Sequence, residues 1–180
     1  MNPWPDLRDT LRGIPWVIVG GVATRAYMPE RMTKDMDILI KKTDGDEVIE
    51  RLTASGYTAV SKLALPGFVL RSPQGVEVDV LLGDAAWLDA ALQQPRYDAA
   101  SYPVLDLPYL VLMKLTAMRT QDSADASRML GLASEEELSE VRAVVARYSP
   151  QDSEDLESLI YLGKLELQPP SDPSTNQQSS

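Results

Sequence analysis

Three short sets of residues have the types and spacing to do chemistry: Gly20-Gly21, Asp35-Met36-Asp37 and Asp79. A glycine pair leaves backbone N–H groups bare, so that a phosphate can approach them and the helix start behind them. Two acids at i and i+2 on a strand point to one face. Negative charge clustered in the middle of a sheet is costly unless a cation neutralises it. Asp79, carried by a later strand, would complete an all-oxygen donor set suited to Mg²⁺ or Mn²⁺. Such a set can hold two divalent ions about 3.5–4 Å apart, which clamp the attacking and leaving oxygens of phosphoryl transfer. Each feature alone has a plainer reading, as an ordinary turn or a solvated strand face. Their coincidence is what carries the argument.

Composition narrows the chemistry further. The 180 residues contain no Cys and no His. This excludes disulfides, thiol nucleophiles, Cys- or His-ligated zinc and any histidine general base. Carboxylates, Lys, Arg and hydroxyls remain, with Tyr102 and six further tyrosines. At this length the chain is expected to form one domain without a metal or disulfide staple.

The elements that must position these residues alternate and then turn helical. The apolar run 16–19 reads as a buried strand ending at Gly20-Gly21, followed by a short helix over 22–28. Over 35–40, Met36, Ile38 and Ile40 alternate with Asp35, Asp37 and Leu39, the period of a strand. A helix over 46–55 stops at Gly56. Segments 67–71 and 76–81 read as a hairpin around Ser72-Pro73-Gln74-Gly75, with Glu77 and Asp79 on one face. A short helix at 85–92 and a short strand at 102–105 follow. The stripe Leu107, Leu110, Val111, Lys114, Leu115 and Met118 has helical spacing. Further helices are predicted over 123–130, 135–148 (capped by Ser134 with Glu137) and 153–165. The polar, Pro-rich tail is expected to be disordered.

At these residues the sequence resembles a known family. The run GGVATRAYMPERMTKDMDILI resembles the signature of the nucleotidyltransferase superfamily that includes DNA polymerase β. EVDVLL is similar to the strand bringing the third carboxylate, and YLVLMKLTAMRTQDSADASRML resembles the helical segment of AbiEii-type abortive-infection toxins. The likeness runs over about residues 14–165. It implies an α/β (α+β) nucleotidyltransferase fold, a mixed sheet flanked by helices with a C-terminal helical part. The expected organisation is an α/β core over 1–106, helices over 107–167 and a tail over 168–180.

The resemblance also implies roles. Gly20 and Gly21 would hold the NTP triphosphate, and Asp35 and Asp37 would bind both metals. Asp79 would complete one metal site and activate the acceptor hydroxyl, while Lys114 would meet the triphosphate. From periodicity alone, Lys114 could equally be a lysine whose stem covers apolar surface. Arg31 and Thr33 would touch phosphate or fix the loop before the acids. Asp122 and Asp125 stand where the toxin type has acids, but Gln121 replaces an expected basic residue, so a helix-start pair favouring the dipole is the plainer reading.

The implied reaction is Mg²⁺- or Mn²⁺-dependent transfer of an NMP from an NTP to a hydroxyl, releasing pyrophosphate. A toxin-like enzyme acting on the tRNA 3′ end, with an antitoxin partner, is the leading expectation. Two alternatives stand beside it: an aminoglycoside-type small-molecule nucleotidyltransferase, and a non-catalytic nucleotide-binding partner protein. Residues 1–120 carry 15 acids and 13 bases, whereas 121–180 carry 12 acids and 4 bases, for an overall charge of −10. That balance disfavours tight non-specific RNA binding. Arg25, Arg31, Lys34, Lys41 and Lys42 could still form a local basic rim. Glu135, Glu136, Glu137 and Glu140 are the candidates for an acidic cleft facing a cationic acceptor. No membrane span or signal peptide is legible, so a cytoplasmic protein is expected.

Overall fold

The computed structural model describes residues 4–29, 33–117 and 120–167. Its centre is β2 (Asp35–Lys41), whose alternation buries Met36, Ile38 and Ile40 completely on one face and leaves Asp35 and Asp37 half-buried on the other. β1 (Trp16–Val19) lies antiparallel on one side of it, with Val19 opposite Asp37. β5 (Glu77–Gly83) lies parallel on the other side, with Asp37 opposite Asp79 and Asp35 opposite Glu77. The period of two therefore gathers both acids of β2 and those of β5 on one face.

β3 (Thr58–Lys62), β4 (Gly67–Arg71), β6 (Arg96–Tyr97) and β7 (Pro103–Val104) complete a mixed sheet in the order β3-β4-β5-β2-β1-β7-β6. β4 pairs antiparallel with β5, as the hairpin around Ser72 to Gly75 predicts, and β7 runs parallel to β1. Two strands depart from the sequence reading. All five residues of β3 are exposed and its register shifts between Ala59 and Ser61, so it shows no alternation to detect. β6 is only two residues long.

The helix expected over 22–28 is a single turn, α1 (Gly20–Ala23), continued by a 3-10 turn at Thr24–Ala26. The Thr24 hydroxyl donates to the Gly21 carbonyl at 2.8 Å, and the Tyr27 N–H donates to the Thr24 carbonyl. α2 (Gly45–Ala54) buries Val48 and Leu52, and the close approach of Gly45 to Leu82 and Phe68 sets it on the face away from the acids. α3 (Leu88–Gln93) is a short helix after β5.

The helical part comprises α4 (Leu107–Ala117), α5 (Thr120–Leu132), α6 (Glu135–Tyr148) and α7 (Ser153–Glu166). Ser134 and Glu137 form the expected capping box at the start of α6. One hydrophobic cluster runs from Ile18, Met36 and Val80 through Leu110 and Val111 to Met129, Leu138 and Ile160. Among the described residues no helix is long and apolar enough to cross a membrane.

Candidate active site

Gly20 leaves β1 with φ +63°, a conformation open to glycine but strained for other residues. A Cβ placed there would lie 2.0 Å from Asp37 Oδ2, so the room a side chain needs is already filled by that carboxylate. The Gly20-Gly21 turn and the second acid of β2 are thus packed directly together. Thr33, just before β2, donates from Oγ1 to Asp35 Oδ1 at 3.1 Å and so fixes the first acid. Asp79 stands across the register from Asp37. Burial pushes its carboxyl above the usual range, and the negative charges of Asp35 and Glu77 push it further the same way. Glu77 is itself paired with Arg71 across the β4–β5 ladder at 2.6 Å.

These groups face a cavity of about 480 Å³. Gly20, Gly21, Thr33, Asp35, Asp37 and Asp79 line it from the sheet side. Leu110, Met113, Lys114 and Ala117 of α4, with Gln121 and Asp122 of α5, line it from the helical part. The connection between β3 and β4 supplies Leu63, Ala64 and Leu65. The oxygen donors fit a hard divalent cation by type. They share a face and a cavity but form no closed cage: among the described residues, no group of three acids has metal-holding geometry.

Lys114 lines the cavity from α4, and its burial corrects one of the two readings offered for it. It does not snorkel, being only 5% exposed. Its Nζ donates to Asp122 Oδ1 at 3.0 Å and to Asp125 Oδ2 at 3.1 Å, while Gln121 Nε2 donates to Asp125 Oδ1 at 2.9 Å. Asp122 and Asp125 are therefore buried partners of the lysine at the edge of the cavity, not simply a pair serving the helix dipole. Gln121, in place of a basic residue, adds a neutral donor to the same cluster. The signal for this cluster was the lysine on an apolar stripe followed by acids one turn apart.

Arg31 lies outside the described residues. The proposed basic rim is largely committed elsewhere: Arg25 pairs with Asp98, Lys41 with Asp89 and Lys42 with Asp84. The acidic cleft also fails to form from α6, since Glu135 pairs with Lys164 and Glu137 serves Ser134 and Arg96, all outside the cavity lining. Sequence reasoning passed over Leu63, Ala64 and Leu65, which carry no polar chemistry.

A mixed sheet presenting acids from two adjacent strands beside a Gly-Gly turn is the layout of a nucleotidyltransferase, and comparison with known proteins agrees. The family model for aminoglycoside-2''-adenylyltransferase matches residues 7–104, over half of the sequence. The chain belongs to this family and is a nucleotidyltransferase. The match covers Gly20, Gly21, Asp35, Asp37 and Asp79 and stops before Lys114. The fold is similar to that of the crystal structure of ANT(2")-Ia in complex with adenylyl-2"-tobramycin, at 15% identity over 89% of this chain and 94% of that one, with a TM-score of 0.50. Lincomycin-bound LnuA, a lincosamide antibiotic adenylyltransferase, matches at 14% identity over 71% of this chain and 92% of that one, with a TM-score of 0.48. Comparison with curated proteins gives no match. The matched family is that of aminoglycoside-2''-adenylyltransferase, not the AbiEii toxin type that the helical segment resembles.

Proposed function

We propose that the protein transfers an adenylyl group from ATP to a hydroxyl of a small cationic compound of the aminoglycoside kind. The observation that carries this reading is the cavity in which Gly20-Gly21 and the carboxylates of Asp35, Asp37 and Asp79 meet. The acceptor oxygen forms a bond to the α-phosphorus, the bond from that phosphorus to the bridging oxygen breaks, and pyrophosphate leaves with the electron pair.

Asp79 takes the proton of the attacking hydroxyl. With no His in the chain, this carboxylate, opposite Asp37 in the sheet register, is the base nearest to hand. Asp35 and Asp37 would hold Mg²⁺ or Mn²⁺, together with Asp79. When bound, the ions supply charge neutralisation at the phosphates and acidify the acceptor hydroxyl. Gly20 and Gly21 offer a bare backbone to the triphosphate, with Lys114 behind it. Thr33 keeps Asp35 aimed at the cavity.

The acceptor class is supported by the family and by charge. Among the described residues, four acids, Asp35, Asp37, Asp79 and Asp122, and one lysine line the cavity. Such a lining attracts cations, both the divalent ions that accompany ATP and the ammonium groups of an acceptor. Together with the family and the ion-paired state of Arg25, Lys41 and Lys42, this favours a small cationic acceptor over the tRNA 3′ end.

The test is transfer of label from α-labelled ATP, with Mg²⁺, into tobramycin and, separately, into total tRNA. Label is expected in tobramycin alone, and the Asp35→Ala/Asp37→Ala variant is expected to retain its fold and lose transfer by at least a hundredfold, the scale of a lost electrostatic stabiliser. Label in tRNA would restore the toxin reading. Full activity of the double variant would remove the two acids from the reaction.

A further inference from the structure

The cavity has two unlike sides, and strand order sets them. Moving along the sheet from β1 to β4, one meets the Gly20-Gly21 turn, then Asp35 and Asp37, then Asp79, and last the connection between β3 and β4. The triphosphate belongs at the first end, by the reading given under Proposed function, on which this inference rests. The acceptor, deprotonated by Asp79, must then approach from the other end. That end is apolar: Leu63, Ala64 and Leu65, with Leu81 two residues beyond Asp79 on the same face of β5.

This apolar end is held firmly. The Leu63 N–H donates to the Gly67 carbonyl at 3.1 Å, and the Leu82 N–H donates to the Pro66 carbonyl at 2.9 Å. Gly67, at φ +151°, lies so close to β5 that a Cβ there would be 2.2 Å from the Val80 carbonyl oxygen. The short connection is therefore pinned to β5 at its base while its tip stays open. Leu65 at that tip is 68% exposed, the highest value among the large apolar side chains described, yet it lines the cavity. Keeping a leucine in water beside a site of four carboxylates stabilises nothing in the unliganded chain, whereas covering it with a ligand removes apolar surface from water.

We infer that Leu63, Ala64 and Leu65 form the acceptor-selecting wall of the active site, with Leu65 packing against an apolar ring face of the acceptor. The acceptor class becomes correspondingly narrower: a hydroxyl compound with cationic groups on one side and a C–H-rich ring face on the other, as an aminocyclitol sugar has. The hairpin tip receives the ring face. Leu65 makes no contact with the reacting phosphorus; it sets affinity and orientation for the acceptor.

The experiment compares the full-length protein with its Leu65→Ser and Leu65→Met variants, measuring adenylyl transfer from ATP to tobramycin and, in parallel, Mg²⁺-dependent ATP binding. Leu162→Ser, at an exposed leucine of α7 outside the cavity, is the control. Loss of an apolar contact of this size is expected to raise the KM for tobramycin about tenfold in Leu65→Ser. The KM for ATP should stay within twofold, Leu65→Met should restore the acceptor KM, and Leu162→Ser should leave both constants unchanged. A rise in the KM for ATP with the acceptor KM unmoved would overturn the inference by assigning the wall to the nucleotide. Unchanged constants for both substrates would overturn it as well. Wild-type protein that binds ATP and transfers to no tobramycin would instead overturn the underlying reading of the acceptor, and the inference would fall with it.

Discussion

Lys114 shows how much one residue can tie together. It is a buried cation between two buried carboxylates, and it faces the cavity from α4 while both partners belong to α5. Replacing it by Met removes the ammonium that Asp122 and Asp125 share, and breaking a buried ion pair of this kind is expected to cost about 3–5 kcal/mol. Denaturant unfolding checks this, and a Lys114→Met/Asp125→Asn double variant should recover part of the loss. A second expectation at this scale concerns Asp79. Its carboxyl holds its proton more tightly in the folded chain than in the unfolded one, first because it is partly buried and then because Asp35 and Glu77 are near. Its favourable contribution is therefore present at acid pH and is lost as pH rises through the raised value. Without divalent cations, wild-type stability should fall relative to Asp79→Asn as pH rises above the ordinary carboxylate pKa of about 4, as read by thermal unfolding in EDTA. A constant difference across that range would show that Asp79 is not perturbed in solution.

Elements divide into those whose sequence declares them and those whose sequence does not. β1, β2, β4 and β5 announce themselves because apolar runs and strict alternation accompany burial on one face, and the same alternation makes Asp35, Asp37 and Asp79 legible as a group. α6 is legible because its cap is written in Ser134 and Glu137. The connection bearing Leu65 is opaque for the opposite reason: a short apolar stretch gives no clue that it leans over carboxylates brought from elsewhere. The partners of Lys114 were signalled only in part, by acids one turn apart after the stripe, since the choice between solvent, phosphate and acid depends on where α5 turns back. α5 and α7 meet at glycines that no periodicity marks. A Cβ on Gly163 would lie 1.9 Å from the Ser127 carbonyl oxygen, and one on Gly131 would lie 2.4 Å from the Gly163 carbonyl oxygen. Because both contacts are with backbone, no side chain can swing aside. Gly163→Ala should force the helices apart and destabilise the chain by about 1–3 kcal/mol, measurable as a lower Tm. An unchanged Tm would mean that the two helices pack more loosely than described.

At the scale of the whole molecule, the cavity of the candidate site is shared between the sheet and the helices that follow it. Gly20 and the three aspartates arise before residue 104, within the stretch that defines the family, while Lys114, Gln121 and Asp122 complete the cavity from beyond it. Charge follows the same division: the near-neutral first two thirds hold Gly20-Gly21 and the three aspartates, and most of the net −10 lies on helices whose acids are largely solvent-facing or paired. The sheet itself ends at β3 on one side, and that end has a further meaning. A straight strand with five exposed residues would offer its unpaired backbone to any passing chain as a template for extension. The irregularity between Ala59 and Ser61 leaves Val60 out of the ladder, and Lys62 places a charge on the strand. The same bulge that hid the strand from pattern reading thus blunts it against fibril growth and edge-to-edge self-association.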